Sequence, residues 1–375
     1  MGGWSRLAGG LALAGGMLAD GPLRAQDELS PPPAARLGVP VPPPRPQDDP
    51  VVEPPDFAPP PPLPKNWQPR QKFQFGTQLG AALLASKNGL PGYGVTWFPS
   101  AEVRHQPTDL SLSRQEIALF TPFWKEGPDT AIGFLGIKNS RFETQAVLPD
   151  SGREFPHRLW DVNAGVSYSH TFAEGWTAGV NMNAGSASDK PFSQANVLSA
   201  GLIGYLTTPG AGNDHWVFAV LYSPTGDFRY PYPGVAYFYQ PNSFFEANIG
   251  IPFLLKWKPW DDVTVEALYL PIRTVSARVT WDTLPGVRSF AAFNWSYESY
   301  FLAERDTYSD RLFSFEKRLT GGVSFDLPLN LALEISGGYA FDRIYFQGKS
   351  YADRYRDRVS LANGAFIQLQ LRLKF

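Results

Sequence analysis

The sequence predicts an all-β fold: a closed antiparallel β-barrel of about 12 to 14 strands that spans a membrane, behind a leader and a disordered proline-rich segment. Three features predict it. From residue 71 onward hydrophobicity alternates with a period of two, in segments of about 10 to 15 residues. Aromatic side chains collect at segment ends, as at Trp160, Phe172, Trp176, Tyr222, Trp257, Trp260 and Trp281. The face opposite the apolar one carries small or charged residues. Period two puts successive side chains on opposite faces of a strand. A soluble sandwich alternates too, but its strands are shorter and it has no lipid interface to hold rings half buried. A sheet in hydrocarbon must close, because an open edge leaves amides unsatisfied.

Residues 1–25 read as a secretory signal. Arg6 and the amino terminus supply positive charge, and Leu7–Ala19 is an apolar run of 13 residues. That is too short for a spanning helix of about 20 residues and fits the apolar region of a signal peptide. Cleavage is expected after Ala25, with Ala19 as the alternative. No other stretch is apolar enough for a transmembrane helix. Residues 26–70 form a proline-rich linker. Pro31 to Pro69 holds 17 of the chain's 36 prolines, so backbone donors are missing and polyproline II is favoured. It reads as a spacer, or as an arm across the periplasm towards the cell wall or a periplasmic partner.

Residues 71–375 are the barrel. The expected strands are 94–104, 110–122, 130–142, 158–172, 176–188, 197–207, 214–223, 244–258, 262–270, 273–282, 288–301, 311–327, 331–346 and 361–375. Residues 72–85 alternate as well and would make an odd fifteenth. Short turns are expected at 173–175, 260–262, 284–286 and 328–330, and long connections near 143–157, 188–196, 224–243, 302–310 and 347–360. Outer-membrane barrels have short periplasmic turns and long outer loops. Placing the carboxyl terminus inside puts all four turns at the periplasmic end and all five long connections outside.

The final run, Phe366-Ile367-Gln368-Leu369-Gln370-Leu371-Arg372-Leu373-Lys374-Phe375, resembles the terminal strand of bacterial outer-membrane barrels. The resemblance implies that Phe375, Leu373 and Leu371 are the signal read by the barrel-assembly machinery. Leu110-Ser111-Leu112-Ser113-Arg114-Gln115-Glu116 and Trp257-Lys258-Pro259-Trp260-Asp261-Asp262 resemble a family of uncharacterised bacterial outer-membrane β-barrel proteins, over roughly 94–375. That family has no established activity, so no functional residue carries over.

Composition narrows the chemistry. With 33 basic and 35 acidic residues the formal charge is −2, which argues against nucleic acid as a partner. The absence of cysteine excludes thiolate metal sites and thiol catalysis. Four histidines, His105, His157, His170 and His215, show no metal-ligand spacing. His170 lacks a serine two residues on, so the pairing of outer-membrane phospholipases fails, and an interfacial ring is its expected role. Asp214 and His215 are neighbours on a strand and point to opposite faces. Gly348-Lys349-Ser350 lacks the first glycine of a phosphate loop, since position 343 is Arg343. No catalytic residue, metal or cofactor is expected.

Charged residues expected to line the lumen are Arg278, Glu298, Asp326, Glu334, Arg372 and Lys374, with Glu266, Asn163, Asn181 and Asn183 beside them. Their mixed signs point to pairing across the lumen rather than a single-sign ring. The segment 224–243 is expected to be an outer loop whose Tyr230, Tyr232, Tyr237 and Tyr239 offer an aromatic binding surface. The leading expectation is a passive channel or narrow transporter for small polar solutes, set in outer-membrane lipid. The alternative is a plugged structural or adhesion barrel working through its outer loops or proline-rich arm. A barrel-wall hydrolase ranks third.

Overall fold

The computed structural model describes residues 91–226, 230–270, 274–305 and 307–374. The leader, the proline-rich linker, the segment 72–85 and Phe375 lie outside the described residues. The strands are β1 (Gly92–Glu102), β2 (Asp109–Glu126), β3 (Asp129–Thr144), β4 (Arg158–Thr171), β5 (Thr177–Ser188), β6 (Leu198–Pro209), β7 (His215–Tyr222), β8 (Tyr232–Asn242) and β9 (Phe245–Gly250). They continue with β10 (Phe253–Trp260), β11 (Val263–Leu270), β12 (Thr274–Leu284), β13 (Val287–Tyr300), β14 (Arg311–Leu327), β15 (Leu331–Gly348), the two-residue β16 (Val359–Ser360) and β17 (Gly364–Leu373).

Each strand from β1 to β15 pairs antiparallel with the next, β15 then pairs with β17, and β17 with β1. The last pairing runs from Gly92 opposite Arg372 to Trp97 opposite Ile367 and closes the ring. β16 only adds two residues to the far end of β15. The barrel therefore has sixteen strands, not 12 to 14. Two misreadings explain the difference. The segment read as the loop 224–243 contains β8, whose Pro233 and Pro241 and whose aromatics on both faces hide the period of two. The segment read as one strand, 244–258, is two, because the chain reverses at Ile251-Pro252 between β9 and β10.

All the short turns at 173–175, 261–262, 285–286 and 328–330 lie at one end, together with Gly92 and Leu373, the two chain ends of the ring. The five long connections lie at the other. These are called the terminal end and the loop end below. The outward face is apolar and exposed: Ile367, Leu369, Leu371 and Leu373 on β17, and Ile335 and Tyr339 on β15. Rings gird the terminal end at Trp124, Phe172, Trp176, Trp216, Tyr239, Trp257, Trp281 and Phe325, and the loop end at Trp97, Tyr222, Tyr269 and Tyr339. On β15 the outward run from Leu331 to Tyr339 covers about 26 Å along the strand at roughly 3.3 Å per residue. At a tilt of about 40° this is some 20 Å of height, close to the roughly 25 Å band of a membrane barrel. The exterior is that of a membrane-spanning barrel.

Inside, the wall is kept thin where rings lie flat on it. Phe134 faces Gly165 across β3 and β4. A Cβ at Gly165 would stand 2.3 Å from that ring and 2.2 Å from the Met182 carbonyl oxygen. Only glycine lets the two strands carry a ring this close.

Candidate functional site

The barrel is not an open cylinder. At the loop end the tip of β13 crosses to β5, which lies eight strands away in either direction around the ring. Phe301 pairs with Ser188 in a parallel bridge, and the Phe301 amide donates to the Ala187 carbonyl at 2.7 Å. Lys138 on β3 donates to Glu298 on β13 at 2.7 Å, and the Tyr300 hydroxyl donates to the same carboxylate at 2.7 Å. The loops above continue the contact. The Ala303 amide donates to Asp189, and Arg305 donates to the carbonyls of Asn196, Leu302 and Tyr308 while lying 4.8 Å from the Phe301 ring centre. Lys190 and Glu304 pair at 2.5 Å, which holds the lysine above and the carboxyl below their ordinary values. Backbone and side chains together form a strut across the diameter.

On one side of the strut, between β13 and β5 by way of β17 and β1, the loop end is filled. Phe98, Leu110, Leu112, Phe142, Tyr345 and Phe366 project inward and are buried with Leu148 and Phe155 of the connection between β3 and β4. Phe142, Phe155 and Tyr345 pack edge to face at 5.1 to 5.6 Å. Against this core sits Glu316, which draws in Arg343 at 3.2 Å, Arg318 at 3.3 Å and Arg114 at 3.9 Å. Arg343 lies over Phe98 at 4.8 Å and Arg318 over Phe366 at 5.8 Å. Asp357 fastens the inserted connection by accepting from the amides of Asp150 and Ser151. The charged run 353–358 thus serves loop packing: Asp353 caps a short turn, and Arg356 reaches Asp310 at 3.5 Å.

On the other side, from β5 through β9 to β13, the loop end is less filled, although Arg311 of β14 donates to the Thr225 and Gly226 carbonyls of the connection between β7 and β8. A space of about 120 Å³, partly open to solvent, is lined by Lys138, Asp161, Ser199, Thr225, Glu298 and Arg311 among others. Deeper down, Lys256 and Glu266 are exposed. Both lie on the inner face, because Lys256 is opposite Glu266 and Glu266 opposite Arg278 in the ladder, and Arg278 reaches across the lumen.

Five of the expected charges gather in two nodes. Arg278 forms a bidentate pair with Glu334 at 3.2 and 3.0 Å, three strands away, and Arg372 joins the same carboxylate at 3.0 Å. Arg278 also lies 3.6 Å over Phe290, whose ring covers Gly322 of the next strand. Glu298 belongs to the strut. Asp326 and Lys374 sit at the terminal end, where Asp326 accepts from Lys374 and, at 2.7 Å, from Arg288. Sequence reasoning missed Lys138, Arg114, Glu316, Arg318 and Arg343. Their strands alternate as clearly as the others, and inward charge was the available signal.

Tyr232, Tyr237 and Tyr239 are not in an outer loop. They lie on β8, and Tyr239 belongs to the terminal-end girdle; Tyr230 remains in the connection and is exposed. The Tyr237 hydroxyl donates to Asp214 at 2.6 Å, while His215 stacks on Phe238 on the other face. His170 shares Asp129 with Tyr168, at 2.8 and 2.6 Å, and meets Phe172 edge to face at 4.6 Å. Among the described residues no group of histidine and carboxylate side chains is placed to hold a metal.

No protein-family model matches the chain, and no curated protein matches it. The motifs at 110–116 and 257–262 therefore find no family behind them. Among solved structures, the chain is similar to the beta domain of the Bordetella autotransporter BrkA, with 11% identity over 76% of this chain and 100% of that one, at a TM-score of 0.28. It is similar to Pseudomonas aeruginosa OccK7 (OpdD), with 10% identity over 75% and 96%, at 0.34. It is also similar to the translocator domain of the autotransporter NalP from Neisseria meningitidis, with 12% identity over 80% and 96%, at 0.23. These likenesses are too loose to bear on function.

Proposed function

We propose that this chain is an integral protein of the bacterial outer membrane that lets small polar solutes cross through one half of a divided lumen. The observation that carries the reading is the exposure of Lys256 and Glu266 on the inner face of β10 and β11. Inward charges left exposed to solvent mark a water-filled interior rather than a packed one. Sixteen strands are enough for an aqueous channel, and the strut takes away about half of it at the loop end. In this reading the terminal end faces the periplasm, where residues 26–70 would leave the barrel towards the cell wall. The barrel-assembly machinery would read Leu371, Leu373 and Phe375. No catalytic residue is assigned.

The test is conductance of the refolded full chain in a planar bilayer. Discrete, stable steps are expected, smaller than those of an undivided sixteen-stranded barrel. A second reading, a plugged barrel working through its loops or arm, is favoured by the buried core around Phe142, Phe155 and Tyr345. Folded protein that stays silent would select it.

A further inference from the structure

We infer that the open half of the lumen selects polar solutes without net charge over ions of either sign. The inference rests on the channel reading and comes from the ladder register. Glu246 on β9 stands opposite Lys256 on β10, Lys256 opposite Glu266 on β11, and Glu266 opposite Arg278 on β12. Residues directly opposite in a ladder have Cβ atoms about 4.5 to 5.5 Å apart. Four neighbouring strands therefore carry a row of alternating sign, two carboxylates against two cations, along one wall. The row ends at Glu334 and Arg372, one further charge of each sign.

The space nearer the loop end repeats the balance. Its lining holds Lys138 and Arg311 against Asp161 and Glu298, among the hydroxyls of Ser199, Ser223, Thr225, Thr274, Ser296 and Ser299. At the terminal mouth Arg288 and Lys374 flank Asp326, and Asp282 stands opposite Arg288 in the ladder, again two charges of each sign. A row that alternates every strand has a field that cancels within about one repeat of the wall. An ion entering the narrow half gives up part of its hydration and meets no ring of opposite sign to replace it. A neutral polar solute loses less on desolvation. Hydroxyls that both donate and accept, and closely spaced charges of both signs, can replace its water contacts.

The test compares three solutes of one size, glucose, gluconate and glucosamine, by swelling of liposomes holding the full chain, together with the reversal potential in a potassium chloride gradient. Glucose is expected to enter fastest, with a reversal potential near zero. Lys256→Glu should turn the preference towards glucosamine and Glu266→Lys towards gluconate, each by about fivefold, since an unbalanced charge near 4 Å is worth roughly 1 kcal/mol even in water. Both side chains are exposed, and heat-modifiable migration on a gel verifies that each variant is folded. Faster entry of either ion, equal entry of all three, or no shift in either folded variant would overturn the inference while leaving the channel intact. Silent bilayers and unswollen liposomes would remove the channel itself, and this inference with it.

Discussion

Replacing Lys138 by methionine removes one end of the strut and leaves Glu298 with the Tyr300 hydroxyl. The lysine side chain is 12% exposed and the glutamate 22%. Breaking a buried pair from one side costs about 3 to 5 kcal/mol, because the remaining charge stays out of water. Glu298 retains some solvent, so we expect the lower end, about 3 kcal/mol. The double variant Lys138→Met/Glu298→Met leaves no stranded charge and should fall within about 1 kcal/mol of the parent. The double variant should therefore cost far less than the sum of Lys138→Met and Glu298→Met measured singly. Urea unfolding in lipid vesicles, followed by tryptophan fluorescence, measures each corner. A cost for Lys138→Met below about 1 kcal/mol would refute the reasoning, since it would make the contact an ordinary solvated ion pair. The same double variant should conduct more than the parent, as the Lys138–Glu298 crossing is gone while the Phe301–Ala187 backbone contact and the Arg311 bonds to Thr225 and Gly226 remain.

Glu334→Gln should cost about 2 kcal/mol by the same unfolding assay, since Arg278 and Arg372 lose charge-assisted bonds, and it should bias the reversal potential towards anions. Arg305→Ala releases three carbonyls that join the loops 189–197 and 302–308. Chymotrypsin should then cut faster at the exposed Tyr308, and an unchanged rate would mean that the loops hold without it. Gly165→Val drives a side chain into Phe134 and the Met182 carbonyl. A loss of about 1 to 3 kcal/mol is expected, and relief by a second change, Phe134→Ala, would tie the loss to that ring.

Much of this fold can be read from the chain because a membrane barrel alternates against two different solvents. Ile335 and Tyr339 meet lipid while Glu334 and Ser336 face inward, so each strand announces its faces. Alternation fails where neither face is simple. β8 carries Phe238 and Ala236 inward and Tyr237 and Tyr239 outward, with two prolines, and it reads as an aromatic loop. The reversal at Ile251-Pro252 is too short to interrupt the pattern that spans β9 and β10. The lumen was half legible. Arg278, Glu334 and Arg372 stand out as charges on an otherwise small face. The strut does not, because the parallel bridge between Ser188 and Phe301 joins strands half the ring apart, and no local pattern reports a contact between positions so distant in sequence.

Strand number alone would give this barrel a wide bore. Its width is set by what the long strands β13, β14 and β15 do beyond the end of β12, whose first residue, Thr274, stands opposite Ser296. The residues past that point, from Tyr297 to Tyr300, from Arg311 to Phe315 and from Ile344 to Gly348, have no β12 wall beside them. Tyr300, Leu312 and Tyr345 join the apolar core, and Glu298 takes Lys138 from the facing wall. Charges such as Arg114, Glu316 and Arg343 can be buried there because each finds an opposite charge or a ring nearby. The filled half therefore fixes the position of the strut, and the strut fixes the width of the other half. Truncating Tyr345 to alanine, far from any open space, should accordingly widen the conducting half through the strut, seen as a larger single-channel step with the reversal potential unmoved.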